Sequence, residues 1–324
     1  DLGNTLAAAQ TNLGILDAAY AQARVATIAA LRLLDPALTF TYVSTEGYYD
    51  KTAYADGLRR GGGRYWHDVA DTTTADNNGT VIVNGTKRWK LIHNGEICLT
   101  HLGGYCDATG DDLPAINRAI TLINASTIDL VTIPPGICMI ADVPDTLTAS
   151  SWAIRGAGWG ATEIRYTAGA GDKSQFFRVG DATHTCQRWS ISGIRFGNSL
   201  NEASLTGAHA SIWVANSVQG EIVGCAMYDA PSFIRLGDTT VSQAQRTMIT
   251  GCHLAPKFKA STALFNFQAY TVCIMDGNYG GEGASSPATA RVFKIAPASG
   301  SLGCDGLYLN GGELNFNAAD LDYT

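Results

Sequence analysis

The sequence predicts a mainly β chain in three parts: an N-terminal helix over residues 1–35, a small β-rich module over 36–101, and a solenoid of short parallel strands over 102–324. Three observations carry this. A six-residue apolar frame recurs from about residue 190, and a three-residue frame falls between its copies. Each frame is too short to bury its own apolar face, so each turn must be completed by its neighbours. The composition agrees: 46% of the 324 residues are hydrophobic and only 16% charged, with 36 glycines against 9 prolines. Such a chain is globular and turn-rich, with too much apolar surface to stay disordered.

The N-terminal helix rests on an alanine-rich, proline-free run from residue 4 to 34. A heptad fits it with Leu6, Leu13, Tyr20, Thr27 and Leu34 at a, and with Ala9, Leu16, Ala23 and Ala30 at d. That spacing predicts a coiled coil. An ordinary amphipathic helix packed on its own domain is the alternative, since Gly14 weakens the helix and the flanking positions carry few charges. From Asp35-Pro36 onward, short apolar stretches are broken by Gly61-Gly62-Gly63 and by Asp76-Asn77-Asn78-Gly79, with strand-like segments at Val81-Ile82-Val83 and Trp89-Lys90-Leu91. This reads as a small β module.

The first solenoid frame starts at Ile191, Ile222, Ile249, Ile274 and Leu309, at intervals of 31, 27, 25 and 35 residues. Positions one, four and six should face inward, with small Cys or Gly at four, where a tight bend crowds the interior. The second frame reads apolar, variable, apolar: Ile212-Trp213-Val214, Ile234-Arg235-Leu236, Phe265-Asn266-Phe267 and Phe293-Lys294-Ile295. Outward files then follow as Arg195, Ala226, His253, Asn278 and Glu313 on one face, and as Trp213, Arg235, Asn266 and Lys294 on another. A β-sandwich also supplies short strands, but the hairpin signals it needs every 8 to 12 residues are missing.

Residues 102 to 137, LGGYCDATGDDLPAINRAITLINASTIDLVTIPPGI, resemble the opening of the pectate-lyase-like right-handed parallel β-helices of bacteriophage tailspikes and capsule depolymerases. Asp107, Asp111, Asp112, Ala115, Ile116, Ala119 and Ile120 fall on that pattern, followed by Ile133-Pro134-Pro135-Gly136; Gly156-Ala-Gly-Trp-Gly-Ala-Thr162 also looks like a family turn. The resemblance implies a capping helix over the open end of the solenoid, with the three aspartates as capping and turn residues. Upstream, residues 26–35, Gly47-Tyr48-Tyr49, residues 61–68 and residues 76–82 resemble the module that precedes the β-helix in many tailspikes. The family implies a homotrimer, hence a three-stranded coil at the N-terminus. It also implies attachment to phage tail or baseplate proteins on the virion, and host capsule or O-antigen polysaccharide as target. Tailspikes usually run through many more coils than the five or so visible here, so the gene is expected to continue past Thr324.

The remaining features narrow the chemistry. A net charge of −7 with no basic stripe argues against nucleic acid, and neither a membrane span nor a secretory signal can be read. The eight cysteines lack CxxC or Cys/His spacing and are expected as free, buried thiols, so no metal or cofactor is expected. Trp213, Arg235, Asn266 and Lys294 suit an extended sugar chain, the ring by stacking and the others as donors. Glycoside hydrolysis needs two carboxylates. Of Asp229, Asp238, Asp276, Glu282, Asp305 and Glu313, the pair Asp276 and Glu282 is the first choice, because Asp276 takes a bend position and Glu282 lies in a Gly-rich loop. A lyase would instead draw on His253 or Lys294. The sequence thus points to a tailspike component that is a polysaccharide depolymerase when whole. The alternatives are a non-catalytic adhesive fibre segment and a secreted pectin enzyme.

Overall fold

The computed structural model describes residues 22–35, 40–167, 175–198, 210–228, 232–237, 243–255, 263–281, 291–295, 304, 306–311, 313–315 and 319–323. The chain is mainly β and its larger part is a parallel β-helix.

A five-stranded sheet comes first, from β1 (Gln22–Val25), β2 (Tyr42–Thr45), β3 (Arg64–His67), β4 (Val81–Asn84) and β5 (Lys87–Leu91), in the order β1-β2-β3-β5-β4. β1 runs parallel to β2 and the other pairs are antiparallel. Val43, Tyr65, Ile82 and Trp89 bury one face under Ile28 and Leu31 of the short helix α1 (Ile28–Arg32). This corrects the N-terminal coil. Residues 22–25 are a strand, and Thr27, assigned to an a position, caps α1 through Oγ1, which accepts the Ala30 N–H. Ala23 is buried in strand pairing instead of a heptad seam, and the β-branched Val25 and Thr27 favour the extended backbone there. The module therefore includes Gln22 onward; the rest of the proposed coil, residues 1–21, lies outside the described residues.

The Asp76-Asn77-Asn78-Gly79 turn ties the module together. Arg32 donates to both Asp76 oxygens at 2.8–3.1 Å and to Asn78 Oδ1, while Asp76 also accepts the N–H groups of Asn78 and Val83. One carboxylate thus joins α1, the turn and β4.

Among the described residues the solenoid shows seven coils, each supplying one strand to three all-parallel ladders. Coil 1 is Leu130–Ile133, Gly136–Ile140 and Thr146–Leu147; coil 2 is Trp152–Gly156, Thr162–Tyr166 and Phe177–Val179; coil 3 is Cys186–Ser192, Arg195–Asn198 and Ile212–Val214. Coil 4 is Ser217–Val223, Ala226–Tyr228 and Ile234–Leu236; coil 5 is Ala244–Thr250, His253–Ala255 and Ala263–Phe267. Coil 6 is Cys273–Asp276, Tyr279–Gly281 and Arg291–Ile295, and coil 7 is Leu307–Asn310, Glu313–Asn315 and Ala319–Tyr323. The strand β6 (Glu96–Cys98) pairs with coil 1, so the first ladder starts before the expected boundary at 102.

The inside of the first ladder is a file of aliphatic side chains in register: Ile97, Val131, Ile154, Ile191, Ile222, Ile249, Met275 and Leu309. From Ile97 to Met275 all are buried, each stabilising the stack by about 1.5–3 kcal/mol. Two residues after this file the chain turns a corner on Gly193, Gly224, Gly251, Gly277 and Gly311, whose φ values lie between +56° and +67°. A side chain there would strain the backbone, which is why the frame carries glycine at its third position.

The register also corrects one frame. Ile249 pairs with Met275 and Thr250 with Asp276, so the fourth copy begins at Met275, one residue later than its apolar pattern suggested. Ile274 is 38% exposed, Gly277 holds the bend assigned to Asp276, and Asn278 turns inward instead of joining the outward file. Buried Asn278 is bonded through both ends of its amide: Oδ1 accepts the Cys252 N–H and Nδ2 donates to Ile249 O. A one-residue slip exchanges the two faces of a strand, and Ile-Met at 274–275 left the choice open.

The helix α2 (Leu113–Asn124) closes the first coil with Ile116, Ala119, Ile120 and Ile123 buried. Without it the strand edges would be bare. Asp107 and Asp111 are turn and capping residues: Asp107 accepts from Thr109 and Ala55, and Asp111 from the Leu113 N–H. Asp112 faces backward, its carboxylate accepting the N–H groups of Tyr105, Cys106 and Met139. The module packs on this cap, with Tyr49 stacked on Tyr105 at 4.8 Å and Arg60 donating to Tyr105 O.

Candidate functional site

The third ladder builds the most continuous outward surface. Its strands read apolar, variable, apolar because the flanking residues fill the core, as Phe265 and Phe293 do by stacking at 5.0 Å. The middle residues pair as Arg178, Trp213, Arg235, Asn266 and Lys294 on coils 2 to 6. In-register parallel strands set like positions about 4.8 Å apart, which lets flat groups layer. The Trp213 ring is accordingly sandwiched, with the Arg178 guanidinium 4.2 Å and the Arg235 guanidinium 4.1 Å from its centre. Trp213 Nε1 donates to Gly237 O at 3.0 Å and Arg235 donates to Gln268 Oε1 at 2.7 Å. Asn266 Oδ1 accepts no hydrogen bond among the described residues.

Trp213, Arg235, Asn266 and Lys294 therefore stand on one face in the register expected of them. Their chemistry differs in one respect: both faces of Trp213 are covered by guanidinium groups, so a pyranose can stack there only if one arginine swings away. Arg178 completes the stripe. Its signal was present in Phe177-Arg178-Val179, which fits the three-residue frame one coil earlier.

Asp276 ends the first-ladder strand of coil 6, half-buried, and accepts from Asn310 Nδ2 at 3.3 Å. It belongs to a different ladder from the stripe. Glu282, with Asp229, Asp238 and Asp305, lies outside the described residues, and Glu313 is described only as backbone of its strand.

Two further constellations escaped the sequence reading. On the second ladder, buried Glu163 is bracketed by Arg165 and Arg195, and the Arg195 guanidinium sits 5.6 Å from the centre of Tyr228. Next along, His253 stacks at 5.3 Å and 9° on Trp159, which projects from the corner loop of coil 2. His253 is thus part of an aromatic cluster, with Tyr228 5.9 Å away. On the first ladder, Arg188, Gln219 and Arg246 take left-handed backbone conformations (φ +52° to +60°) at one position of three successive coils. With Glu221, Met248 and Ile274 they edge a concavity of about 700 Å³. The recurring Gln187-Arg188, Val218-Gln219 and Gln245-Arg246 pairs were its signal.

Residues 24–94 match the family of phage tail protein small four-stranded β-sheet domains. The fold comparison extends over the solenoid. Over 93% of this chain, a glycan biofilm-modifying enzyme of Pantoea stewartii with a tailspike-like parallel β-helix superposes at a TM-score of 0.56 and 12% identity. The gp49 tailspike of Acinetobacter baumannii bacteriophage Fri1, described as a capsular polysaccharide depolymerase, superposes at 0.52 and 13% over 91% of the chain. The gp42 tailspike of Acinetobacter phage vb_AbaP_AS12 does so at 0.53 and 17% over 93%. The chain carries a tailspike-type parallel β-helix. It spans about half the length of these structures, 48%, 60% and 57% respectively. At such identities the likeness speaks for the fold. Among the described residues no helix is long and apolar enough to cross a membrane.

Proposed function

We propose that this chain is the front part of a homotrimeric phage tailspike that joins the virion to host surface polysaccharide, and that the third-ladder stripe grips an acidic glycan. The observation that carries this is the in-register file Arg178, Trp213, Arg235, Asn266, Lys294. Its cations recur on alternate coils, about 9.5 Å apart, a spacing suited to an extended polymer bearing a carboxylate on every second sugar. The tail-domain match and the tailspike-type fold support the virion setting.

Titration of the purified chain with sodium polygalacturonate, and with dextran as neutral control, tests the stripe. Binding should favour the acidic polymer and weaken severalfold in Arg235→Ala and in Lys294→Ala. Equal binding of both polymers, or unchanged binding in both variants, would sink the reading.

The depolymerase role belongs to the same proposal and applies to the whole protein. It predicts new reducing ends or unsaturated sugars when that protein meets its host's polysaccharide. Unchanged chain length after prolonged incubation would leave the adhesive fibre role instead.

A further inference from the structure

Beneath the cap, Cys106 and Cys138 meet with their sulfurs 2.7 Å apart and both side chains buried. Cys106 lies in the segment leading to α2, and Cys138 lies in the second-ladder strand of coil 1. The backbones on either side are already fixed. Ala108 N donates to Ile137 O, Asp112 N donates to Met139 O, and the Asp112 carboxylate accepts N–H groups from both segments. Gly136 is equally constrained, since a Cβ there would lie 2.0 Å from Cys106 O.

Two chemistries could use this site. Cys106, Asp112 and Cys138 offer three possible metal ligands within 4.8 Å of one another. Two thiolates on one tetrahedral zinc, however, stand about 3.8 Å apart, given Zn–S bonds of about 2.3 Å. The observed separation is far shorter and lies closer to the 2.0 Å or so of a disulfide. Both Asp112 oxygens also accept backbone N–H groups that a metal would have to displace.

We infer that Cys106 and Cys138 form a disulfide that locks the capping segment to the first coil, making this pair the exception among thiols expected to stay free. The bond forms by exchange with a small disulfide such as oxidised glutathione. One cysteine thiolate attacks the oxidant, giving a mixed disulfide and releasing one small thiol. The second thiolate then attacks the protein sulfur of that mixed disulfide, the Cys106–Cys138 bond forms, and a second small thiol leaves. The two cysteine protons pass to the two released thiols, and the two electrons reduce the oxidant. In the folded protein the Cys106 contact and burial both push the Cys138 thiol up, which makes its thiolate scarce. Exchange is therefore fastest while the cap is still open, during folding.

The test uses the full chain, denatured and refolded in a mixture of reduced and oxidised glutathione, then alkylated under denaturing conditions, digested and analysed by mass spectrometry. The expected result is one cross-linked peptide pair carrying residues 106 and 138, lighter by two hydrogens, with the other six of the eight cysteines alkylated. Thermal unfolding should shift upward relative to the same sample after reduction. Alkylation of all eight, or a partner for Cys106 other than Cys138, would overturn the inference. So would one equivalent of zinc that shields both thiols until a chelator removes it. Cys106→Ser and Cys138→Ser should each abolish the cross-link, and the wild-type readout stands if either fails to fold.

Discussion

The module and the solenoid solve the same stability problem with different materials. The module is laced by ion pairs: Arg24–Glu46, Arg32–Asp76, Arg59 with Glu46 and Asp50, and Lys90 with Asp68 and Asp71. The solenoid rests on repeated apolar files, with ion pairs at Glu163, held by Arg165 and Arg195, and between Asp181 and His184. A short, irregular sheet buries too little apolar surface to hold its turns alone, so charged groups fix them. A stacked coil inherits its register from the coil before, and a single aliphatic position, repeated, is enough.

That contrast can be broken at its strongest point first. Ile222→Ala removes one rung from the inner file and should destabilise the solenoid by about 2–5 kcal/mol in denaturant unfolding. Adding salt should leave that loss unchanged. Gly251→Val, at a corner with φ of +62°, should cost about 1–2 kcal/mol from backbone strain. Asp276→Ala, one residue before the equivalent corner, should cost far less, which tests the corrected register directly. Arg32→Ala in the module should cost roughly 1–2 kcal/mol, reading as increased hydrogen exchange in α1 and β4 and shrinking in high salt.

The two regions also respond oppositely to pH. In the module, hydrogen bonds from Thr74 and Lys90 hold the Asp71 carboxyl down, and the Lys90 hydrogen bond does the same for Asp68. Their contribution is present above the usual aspartate range and is lost as pH falls below it toward the depressed folded values. At the solenoid entrance, burial pushes Asp112 up to about 7. The folded carboxyl keeps its proton where the unfolded chain releases it near 4, so its contribution is lost as pH rises from about 4 to 7. His67 and His101, pushed down by burial, work in the opposite sense there. The clean measurement is the difference in melting temperature between wild type and Asp112→Asn across pH 4 to 8. It should narrow toward high pH.

Legibility in the sequence followed the same division. The parallel coils, the capping helix and the third-ladder stripe were readable, because apolar residues at 212, 214, 234 and 236 repeat what the coil below requires. Coils 1 and 2 escaped the frame, since Ile133-Pro134-Pro135-Gly136 and the long corner loop around Trp159 stretch its spacing. Where Ile274 and Met275 stood side by side, hydrophobicity could not choose between them, and only the bend at Gly277 settled which faced inward. In the module the heptad misled because alanine suits a helix and a buried strand alike, so Ala23 carried no information about which it joined. The Glu163–Arg195 pair joins residues one coil apart, a distance that no local pattern encodes.

Trp159 has a mechanical consequence. A stack of coils that touch only their neighbours can come apart one layer at a time, like a spring pulled from its end. The ring of Trp159, rooted in coil 2, lies flat on His253 of coil 5 and so bridges the two coils between them. Pulling on coil 5 loads coil 2 directly, and layers 2 to 5 should resist traction as one block. Under an optical trap the intact chain should release them in a single step, and Trp159→Ala should divide that step into smaller ones.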